Sequence, residues 1–443
     1  MSRLQFAVTI AFHYIYPPLS IGLGLLLVIM EGLYLKTKNP FYKSMTQFWA
    51  KIFGLTFAIG VATGIVMEFE FGTNWATYSR YVGDVFGSAL AAEGIFAFFL
   101  ESGFLAIMLF GWERVKPVTH YISTILVCLG AHFSAIWIVV AGSWMQTPAG
   151  YHIVGEGLTA RAEITDFWAM VFNPSSMDRL IHVLLGCWQA GATLVLSVSA
   201  YYLLKKRHEE FARISFKIAL FLALFSSIAQ LFSGHSSAQV VNKYQPVKLA
   251  AMEGIFEESA PAPLTVAGWV DEENQKVYGL RIPNFLSYLI YGDAQAPVKG
   301  LNAFPKKDHP PVAVTFQAFH GMVLIGLGLI ILNIVGLVLL WRKKLFTSRP
   351  VLWLFVFSVL GPQLANQLGW ITTEVGRQPW IVYGLLRTSE GLSRGITANM
   401  VLTSLIMFTV IYFLLFILFI FLLDQKIKAG PDGLDQLPAG QRA

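Results

Sequence analysis

Long apolar runs separated by shorter polar connections dominate the pattern of this chain. Such runs predict transmembrane helices, because roughly 20 apolar residues at about 1.5 Å per residue cross the hydrocarbon core of a bilayer. We predict nine spans, near residues 6–35, 48–72, 89–113, 119–145, 178–204, 212–233, 312–341, 350–371 and 396–423. The first run has no cleavable signal pattern before it, so we expect it to remain as a helix. The pattern therefore predicts an all-α polytopic membrane protein.

Basic residues are concentrated in alternate short connections between these spans, and they predict the orientation of the chain. The basic residues in question are Lys36, Lys38 and Lys43, then Arg114 and Lys116, then Lys205, Lys206, Arg207, Arg213 and Lys217, then Arg342, Lys343, Lys344 and Arg349, then Lys426 and Lys428. The positive-inside rule places these connections in the cytoplasm. We therefore expect the N-terminus outside and the C-terminus in the cytoplasm.

The spans divide the chain into four regions. Residues 1–233 hold helices one to six, and residues 312–424 hold helices seven to nine. Between them, residues 234–311 are richer in glycine, proline and charge and form the one long connection, on the outer side. Loops of this length are usually functional or mobile. Residues 425–443 are polar and predict a short disordered cytoplasmic tail.

Composition agrees with a membrane protein and excludes other classes. Of 443 residues, 55% are hydrophobic and 13% are charged, and the mean hydropathy is +0.59. The net charge of +6 arises from the cytoplasmic connections, and no basic stripe suits a nucleic acid. The two cysteines, Cys128 and Cys187, lie within spans, where we expect packing residues, and no Cys-x-x-Cys-His motif offers covalent haem attachment.

Four potential metal ligands lie at a similar depth near the outer surface: His13, His182, Met322 and Glu374. Each of them alone is compatible with ordinary packing or hydrogen bonding. Together they predict a layer that holds a cofactor. Imidazole with thioether is an axial pair for six-coordinate haem, whereas a single histidine or carboxylate leaves an iron position open for a small ligand. The set therefore predicts electron transfer combined with gas chemistry.

Two acidic residues, Glu93 and Glu101, lie in the otherwise apolar third span. In an α-helix, eight residues separate them by about 12 Å along the axis and about 80° around it. We expect both to line one interior sector, where carboxyl groups suit a proton relay. A neutral acid hydrogen-bonded to a neighbouring helix is the alternative.

Several segments, in order along the chain, resemble the larger subunit of cytochrome bd quinol oxidases. They are SRLQFA at 2–7 with His13, MEFEFGTNW at 67–75, AEG at 92–94, FFLES at 98–102, WMQTP at 144–148, KLAAME at 248–253 and GRQPW at 376–380. The similarity covers nearly the whole membrane region. It implies a terminal oxidase in the cytoplasmic membrane of a prokaryote.

The resemblance implies roles for the four candidate ligands. His182 and Met322 correspond to the axial ligands of a low-spin haem b, the first acceptor of electrons from quinol. His13 and Glu374 correspond to ligands of a high-spin haem b and of haem d, where oxygen is reduced. Which of these two residues serves which haem stays open.

The resemblance also implies roles for residues beside the haems. Glu93 and Glu101 correspond to carboxylates near the haem pair and on its proton route. Arg377 offers a guanidinium fork for a haem propionate, and Trp370 offers a flat packing surface.

In the long outer loop, the resemblance makes Lys248 and Glu253 the pair at the site of quinol oxidation. From the residues alone they read as ordinary solvated charges. His320 departs from the arginine that many members carry two positions before the methionine, and histidine there is typical of the branch called cyanide-insensitive. The loop is of the short form.

The implied reaction oxidises quinol outside and reduces oxygen to water with cytoplasmic protons, so it separates charge without a pump. The family also implies a second membrane subunit, subunit II, and often a small single-span subunit. A secondary transporter is the competing hypothesis, but the ligands cluster near the outer face and not at the midplane. A quinol-binding cytochrome b or a haem-copper oxidase needs paired or clustered histidines that this chain does not supply.

Overall fold

The computed structural model describes residues 1–432, and α-helices dominate this part of the chain. The helices are α1 (Ser2–His13), α2 (Tyr16–Thr37), α3 (Pro40–Thr73), α4 (Ala76–Tyr81), α5 (Gly83–Glu93), α6 (Phe99–Phe110), α7 (Pro117–Gln146), α8 (Phe167–Val171), α9 (Ser176–Lys205), α10 (Glu209–Tyr244), α11 (Pro246–Glu253), α12 (Phe285–Tyr291), α13 (Val312–Trp341), α14 (Arg349–Phe357), α15 (Leu360–Val375) and α16 (Ala398–Ala429). Three antiparallel hairpins connect them: β1 (Tyr151–Val154) with β2 (Arg161–Ile164), β3 (Leu264–Asp271) with β4 (Lys276–Ile282), and β5 (Trp380–Val382) with β6 (Leu386–Arg387).

Eight helical segments within residues 1–432 are long and apolar enough to cross a membrane. They are α1 with α2, then α3, α7, α9, α10, α13, α14 with α15, and α16. The prediction of an all-α polytopic membrane protein is confirmed. The third predicted span, near residues 89–113, is not among these eight: it is helical but divided into the end of α5, a π-helical turn at Gly94–Phe98 and the 12-residue α6. It stays a prediction, as does the orientation of the termini.

Three helix boundaries differ from the predicted spans, because prolines interrupt one helix and two others extend beyond their apolar segments. The first span is divided at Tyr14 and Ile15, because α2 begins with two prolines that suit a first turn but cannot continue α1. Helix α10 continues to Tyr244, so residues 234–244 of the predicted loop are helical. Helix α16 continues to Ala429 into the predicted tail, whose residues 433–443 lie outside the described part. A helix satisfies its own backbone hydrogen bonds and can therefore project beyond the hydrocarbon.

The centre of the bundle is formed by α2 and α9, which cross in direct backbone contact. A Cβ atom added to Gly22 would collide with the carbonyl of Cys187, and one added to Gly191 would collide with Gly22. Small residues allow such close approach in membranes. In their most apolar windows, α9 is 67% buried within the chain and α16 only 11%. The most apolar helix is the least buried, because lipid can cover it as well as protein can.

The outer loop folds back against the ends of the membrane helices. Helix α11 is buried along its length from Val247 to Glu253 and packs between α10 and α13. Hairpin β3–β4 lies beside α13. Helix α11 ends at Gly254, whose positive φ of +67° turns the chain. This packing brings loop residues next to the outer ends of α7, α13 and α15.

Candidate functional site

A cluster of polar side chains lies where the C-terminal ends of α7 and α15 meet the first turn of α11. The Nζ atom of Lys248 donates to Oε1 of Gln146 at 2.6 Å, and Nε2 of Gln146 donates to Oε1 of Glu374 at 3.2 Å. Arg377 binds the same carboxylate through both terminal nitrogens. Its Nη1 donates to Oε1 at 3.1 Å, and its Nη2 donates to Oε2. The structure thus joins Lys248 from the predicted quinol segment to the GRQPW run through Gln146, a residue of the WMQTP segment to which the sequence analysis gave no role of its own.

Arg179 belongs to the same cluster and was missed by the sequence analysis. It lies in the first turns of α9, three residues before His182, and its Nε donates to Oγ of Ser175 at 3.3 Å. The Ser175 hydroxyl lies 2.7 Å from Oγ1 of Thr147, the neighbour of Gln146. We call Gln146, Arg179, Lys248, Glu374 and Arg377 the outer charge cluster, after the predicted orientation of the chain. Its missed arginine resembled an ordinary interface charge at a span end.

The expectation of a solvated Lys248–Glu253 pair is wrong, because the loop packs both side chains into the protein. Lys248 is 2% exposed, and a Cβ atom on Gly376 would lie 3.1 Å from its Cγ. Burial, followed by the positive charges of Arg179 and Arg377, holds the pKa of Lys248 well below its usual value. Glu374 acts in the opposite direction. The lysine therefore loses its proton far more readily than a surface lysine.

Glu253 occupies a separate buried position at the end of α11. It is 4% exposed, and its Oε2 has no hydrogen-bond partner in the described part of the chain. Burial raises the pKa of Glu253 to about 8, against the effect of a hydrogen bond from the backbone of Thr265. A carboxyl group of this kind exchanges protons near neutral pH and can accept one from a bound hydroxyl.

His320 is linked to Glu253 through the same backbone segment. Its Nε2 lies 3.0 Å from the carbonyl oxygen of Thr265, and its Nδ1 lies 2.9 Å from that of Phe316. Its ring also stacks on Phe316, with ring centres 4.0 Å apart. The position that departs from the family pattern therefore contacts the wall of the Glu253 site.

His13 and His182 share a hydrogen-bonding arrangement that is typical of metal-binding histidines. Nδ1 of His13 lies 3.0 Å from Oγ1 of Thr63, and Nδ1 of His182 lies 2.7 Å from Oγ of Ser233. In both rings Nε2 has no protein hydrogen bond among residues 1–432. Orientation of one ring nitrogen by a neighbouring group prepares the other for a metal. Both histidines therefore suit an axial ligand.

Met322 and Glu374 complete the donor set. A Cβ atom on Gly369 would lie 2.8 Å from Sδ of Met322, so this glycine of α15 leaves room for the thioether of α13. Glu374 is already bound to Arg377 and Gln146, but a carboxylate has about four lone-pair sites and retains capacity for iron. No hydrogen bond or ion pair in the described chain joins His13, His182, Met322 and Glu374 to one another. Two imidazoles, a thioether and a carboxylate fit haem iron.

Both acids of the predicted third span pack against α7. The Ser134 hydroxyl donates to Oε1 of Glu93 at 2.5 Å, and a Cβ atom on Gly130 would lie 2.5 Å from Cγ of Glu101. Between the acids lies the π-helical turn Gly94–Phe98, a distortion that often marks functional sites. The shared face is as predicted, whereas the π turn has no sequence signal that we recognised.

Trp370, His132 and the two cysteines make packing or hydrogen-bonding contacts within the protein, and the predicted place of Trp370 beside a haem stays a prediction. Trp370 on α15 lies against Phe6, with ring centres 6.3 Å apart. Nδ1 of His132 lies 2.7 Å from the carbonyl of Cys128, and its Nε2 accepts from Nε1 of Trp188 at 3.0 Å. With both ring nitrogens engaged, His132 is a structural residue. Cys128 and Cys187 are buried free thiols, as expected.

Comparison with known proteins gives consistent matches over nearly the whole chain. The sequence model of the family described as cytochrome bd terminal oxidase subunit I matches residues 1–431. Cytochrome bd ubiquinol oxidase subunit 1 of Bacillus subtilis is 41% identical, over 98% of this chain and 94% of that protein. Cytochrome bd-II ubiquinol oxidase subunit 1 of Escherichia coli is 36% identical, over 98% and 97%. A solved bd oxidase chain from Geobacillus thermodenitrificans superposes with a TM-score of 0.91 at 31% identity, over 97% of this chain and 98% of the other.

Proposed function

The chain belongs to the cytochrome bd terminal oxidase subunit I family, and on that basis we propose that it is the haem-carrying subunit of an electrogenic, non-pumping quinol:oxygen oxidoreductase. Membership makes it a bacterial multi-pass membrane protein of electron transport that takes part in quinol oxidation and oxygen reduction with haem cofactors. The observation that carries the finer proposal is the donor set, in which His13 and His182 each leave Nε2 free beside an oriented Nδ1.

His182 and Met322 would hold a low-spin haem b, and His13 and Glu374 would hold the high-spin haem b and haem d. When bound, these haems accept electrons from quinol and deliver them to oxygen. A thioether ligand raises the potential of the low-spin haem, which suits an acceptor. Packing of Trp370 and the hydroxyl groups of Thr63 and Ser233 would orient the ligands.

Quinol oxidation would take place at the buried segment Lys248–Glu253. Glu253 accepts a proton from a quinol hydroxyl, because its burial leaves a carboxyl group that titrates near pH 8. Lys248, held by Gln146, would bind an oxygen of the quinol ring from the side of the outer charge cluster. The released protons leave to the outer face, where we propose that this loop lies.

Protons for oxygen reduction would come from the cytoplasm through Glu101 and then Glu93. The two carboxyl groups pack on the same face of α7, and Ser134 holds Glu93. Reduction of one oxygen molecule to two waters takes four electrons and four protons, and two quinols supply the electrons while releasing their protons outside. Charge is then separated by the reaction geometry alone. Subunit II, and a small single-span subunit where the family has one, would complete the enzyme in the bacterial cytoplasmic membrane.

The first experiment is a spectrum of the complex purified from membranes, dithionite-reduced minus air-oxidised, with haem extraction. We expect haem b and haem d bands together with quinol-dependent oxygen uptake. A colourless complex would defeat the proposal.

The loop assignment is tested separately with Glu253→Ala, for which we expect loss of quinol oxidation while the haem spectrum persists. The matched control is Glu258→Ala, because Glu258 is an exposed acid five residues further on. Normal quinol turnover by Glu253→Ala would remove this residue from the site.

A further inference from the structure

We propose that the outer charge cluster binds the two propionate carboxylates of the haem held by His182, and that Arg179 is the main propionate-binding residue. This inference rests on the proposed function and deepens it. It also changes an expectation, since the resemblance favours Arg377 for this role.

The cluster contains an excess of buried positive charge. Lys248 and Arg377 are each 2% exposed, Arg179 is half-buried, and Glu374 is the one carboxylate in the cluster. Asp178, the neighbour of Arg179, accepts instead from Oγ of Ser237 at 2.6 Å. Buried cations are costly unless paired with anions. With all three bases protonated, the cluster has two more positive than negative charges, and one haem carries two negative charges on its propionates.

Arg377 has already committed its bidentate fork, because three of its five N–H groups are used within the protein. Its Nη1 and Nη2 hold Glu374, and its Nε donates to the carbonyl of Trp380 at 3.2 Å. Arg179, in contrast, uses only Nε, towards Ser175. Its two terminal nitrogens have no protein partner among residues 1–432, and the planar fork that they form matches a carboxylate bidentately.

The position of Arg179 also argues for an anionic ligand. It lies in the first turns of α9, where the positive end of the helix dipole disfavours a cation. Three residues separate it from His182, so both side chains project from one face of the helix. A ligand bound to His182 would bring its carboxylates towards the guanidinium. Burial, and then the positive charges of Arg179 and Arg377, lower the pKa of Lys248, which agrees with a surplus of positive charge at this place.

The test compares Arg179→Gln and Arg179→Lys with Arg161→Gln in the purified complex. Arg161 is an exposed outer arginine paired with Glu163 and serves as the control. The readouts are low-spin haem per complex after a detergent challenge and the midpoint potential of that haem. Both measurements are independent of oxidase turnover.

We expect Arg179→Gln to retain low-spin haem roughly tenfold less well, because a charge-assisted hydrogen-bonded pair is lost. In molecules that keep the haem, the midpoint potential should fall, since a nearby cation favours the reduced, less positive iron. Arg179→Lys should restore most of the potential but not all of the retention, because an ammonium restores charge without the fork.

Unchanged retention and potential in Arg179→Gln would overturn this inference while leaving the oxidase assignment intact. Loss of haem equally from Arg161→Gln would also overturn it, as a general instability. If the unaltered complex carries no haem, the proposed function itself fails, and this outcome is distinct from both.

Discussion

Two buried polar clusters lie near opposite ends of α7, and they differ in charge balance. Near its beginning, Oε1 of Glu31 lies 2.6 Å from Nδ1 of His120, and the Thr124 hydroxyl donates to Oε2 of Glu31 at 2.6 Å. We call these three residues the inner clamp. Near its end, Gln146 joins the outer charge cluster, whose three cations face one carboxylate. His120 and Gln146 are 26 residues apart, about 39 Å along a helix.

The difference separates structural polar groups from ligand-binding ones. In the inner clamp both oxygens of the α2 carboxylate find partners on α7, so the carboxylate is satisfied without a further group, although Nε2 of His120 has no partner in the described part of the chain. The outer charge cluster leaves the terminal nitrogens of Arg179 and a net positive charge without a protein counterpart. A self-contained cluster stabilises the bundle, whereas one with excess charge indicates a missing anion.

The largest effect should come from a residue that we propose to bind haem iron, Met322. In Met322→Leu we expect complete conversion of the low-spin haem to high-spin, because leucine has no donor atom for iron. The measurement is the reduced-minus-oxidised spectrum of the purified complex. Met30→Leu, beside the inner clamp and fully buried, is the control and should leave the spectrum unchanged. A persistent low-spin signal in Met322→Leu would show that another residue binds the iron.

Glu101, on α6, contacts α7 at Gly130, between the positions of the two clusters. It tests whether a buried acid at this level moves protons. Glu101→Gln keeps the shape and the contact with Gly130 but cannot release a proton. We expect oxygen consumption to fall about 100-fold, the lower range for loss of a proton-transferring group. Haem content should not change. Full turnover in this variant would remove Glu101 from the relay.

The inner clamp should affect stability and leave the haems alone. Glu31→Ala removes one partner of a fully buried pair, and we expect about 3–5 kcal/mol of destabilisation. Thermal unfolding in detergent measures it, with the haem spectrum as the second readout. Glu113→Ala breaks the exposed contact with Lys43 and should change little. If Glu31→Ala loses the low-spin haem at unchanged stability, the contrast between the clusters is false.

The smallest effect is a change in the pH dependence of quinol oxidation, which we expect Glu253 to control. The pKa of Glu253 is raised to about 8, so its proton-accepting form is scarce below pH 8 and predominates above it. Quinol oxidation should therefore rise up to about tenfold per pH unit below pH 8 and level off above. Glu253→Gln should abolish this rise, and Glu258→Gln should retain it. An identical pH profile in Glu253→Gln would exclude it as the base.

The predictable part of the site consists of residues whose chemistry is unusual for their place in the chain. Histidines and acids within apolar spans are costly, so His13, His182, Glu93 and Glu101 could be singled out before any coordinates. Arg179 could not, because polar residues at span ends are common, and Gln146 was named only within the WMQTP segment, without a role. The π turn at Gly94–Phe98 was equally hidden, since a helix of either kind has the same apolar composition.

The sequence by itself determined the membrane class, the approximate spans and the identities of the candidate ligands, because hydrocarbon permits few polar residues and each of them is therefore informative. Only the tertiary structure decided which polar groups meet. It buried Lys248 beside the GRQPW run, occupied Arg377 with Glu374 and left the Arg179 fork free. The burial of Lys248 depends on how α11 folds back against α7 and α15. Such long-range packing juxtaposes residues more than 100 positions apart, and local sequence patterns carry no record of it.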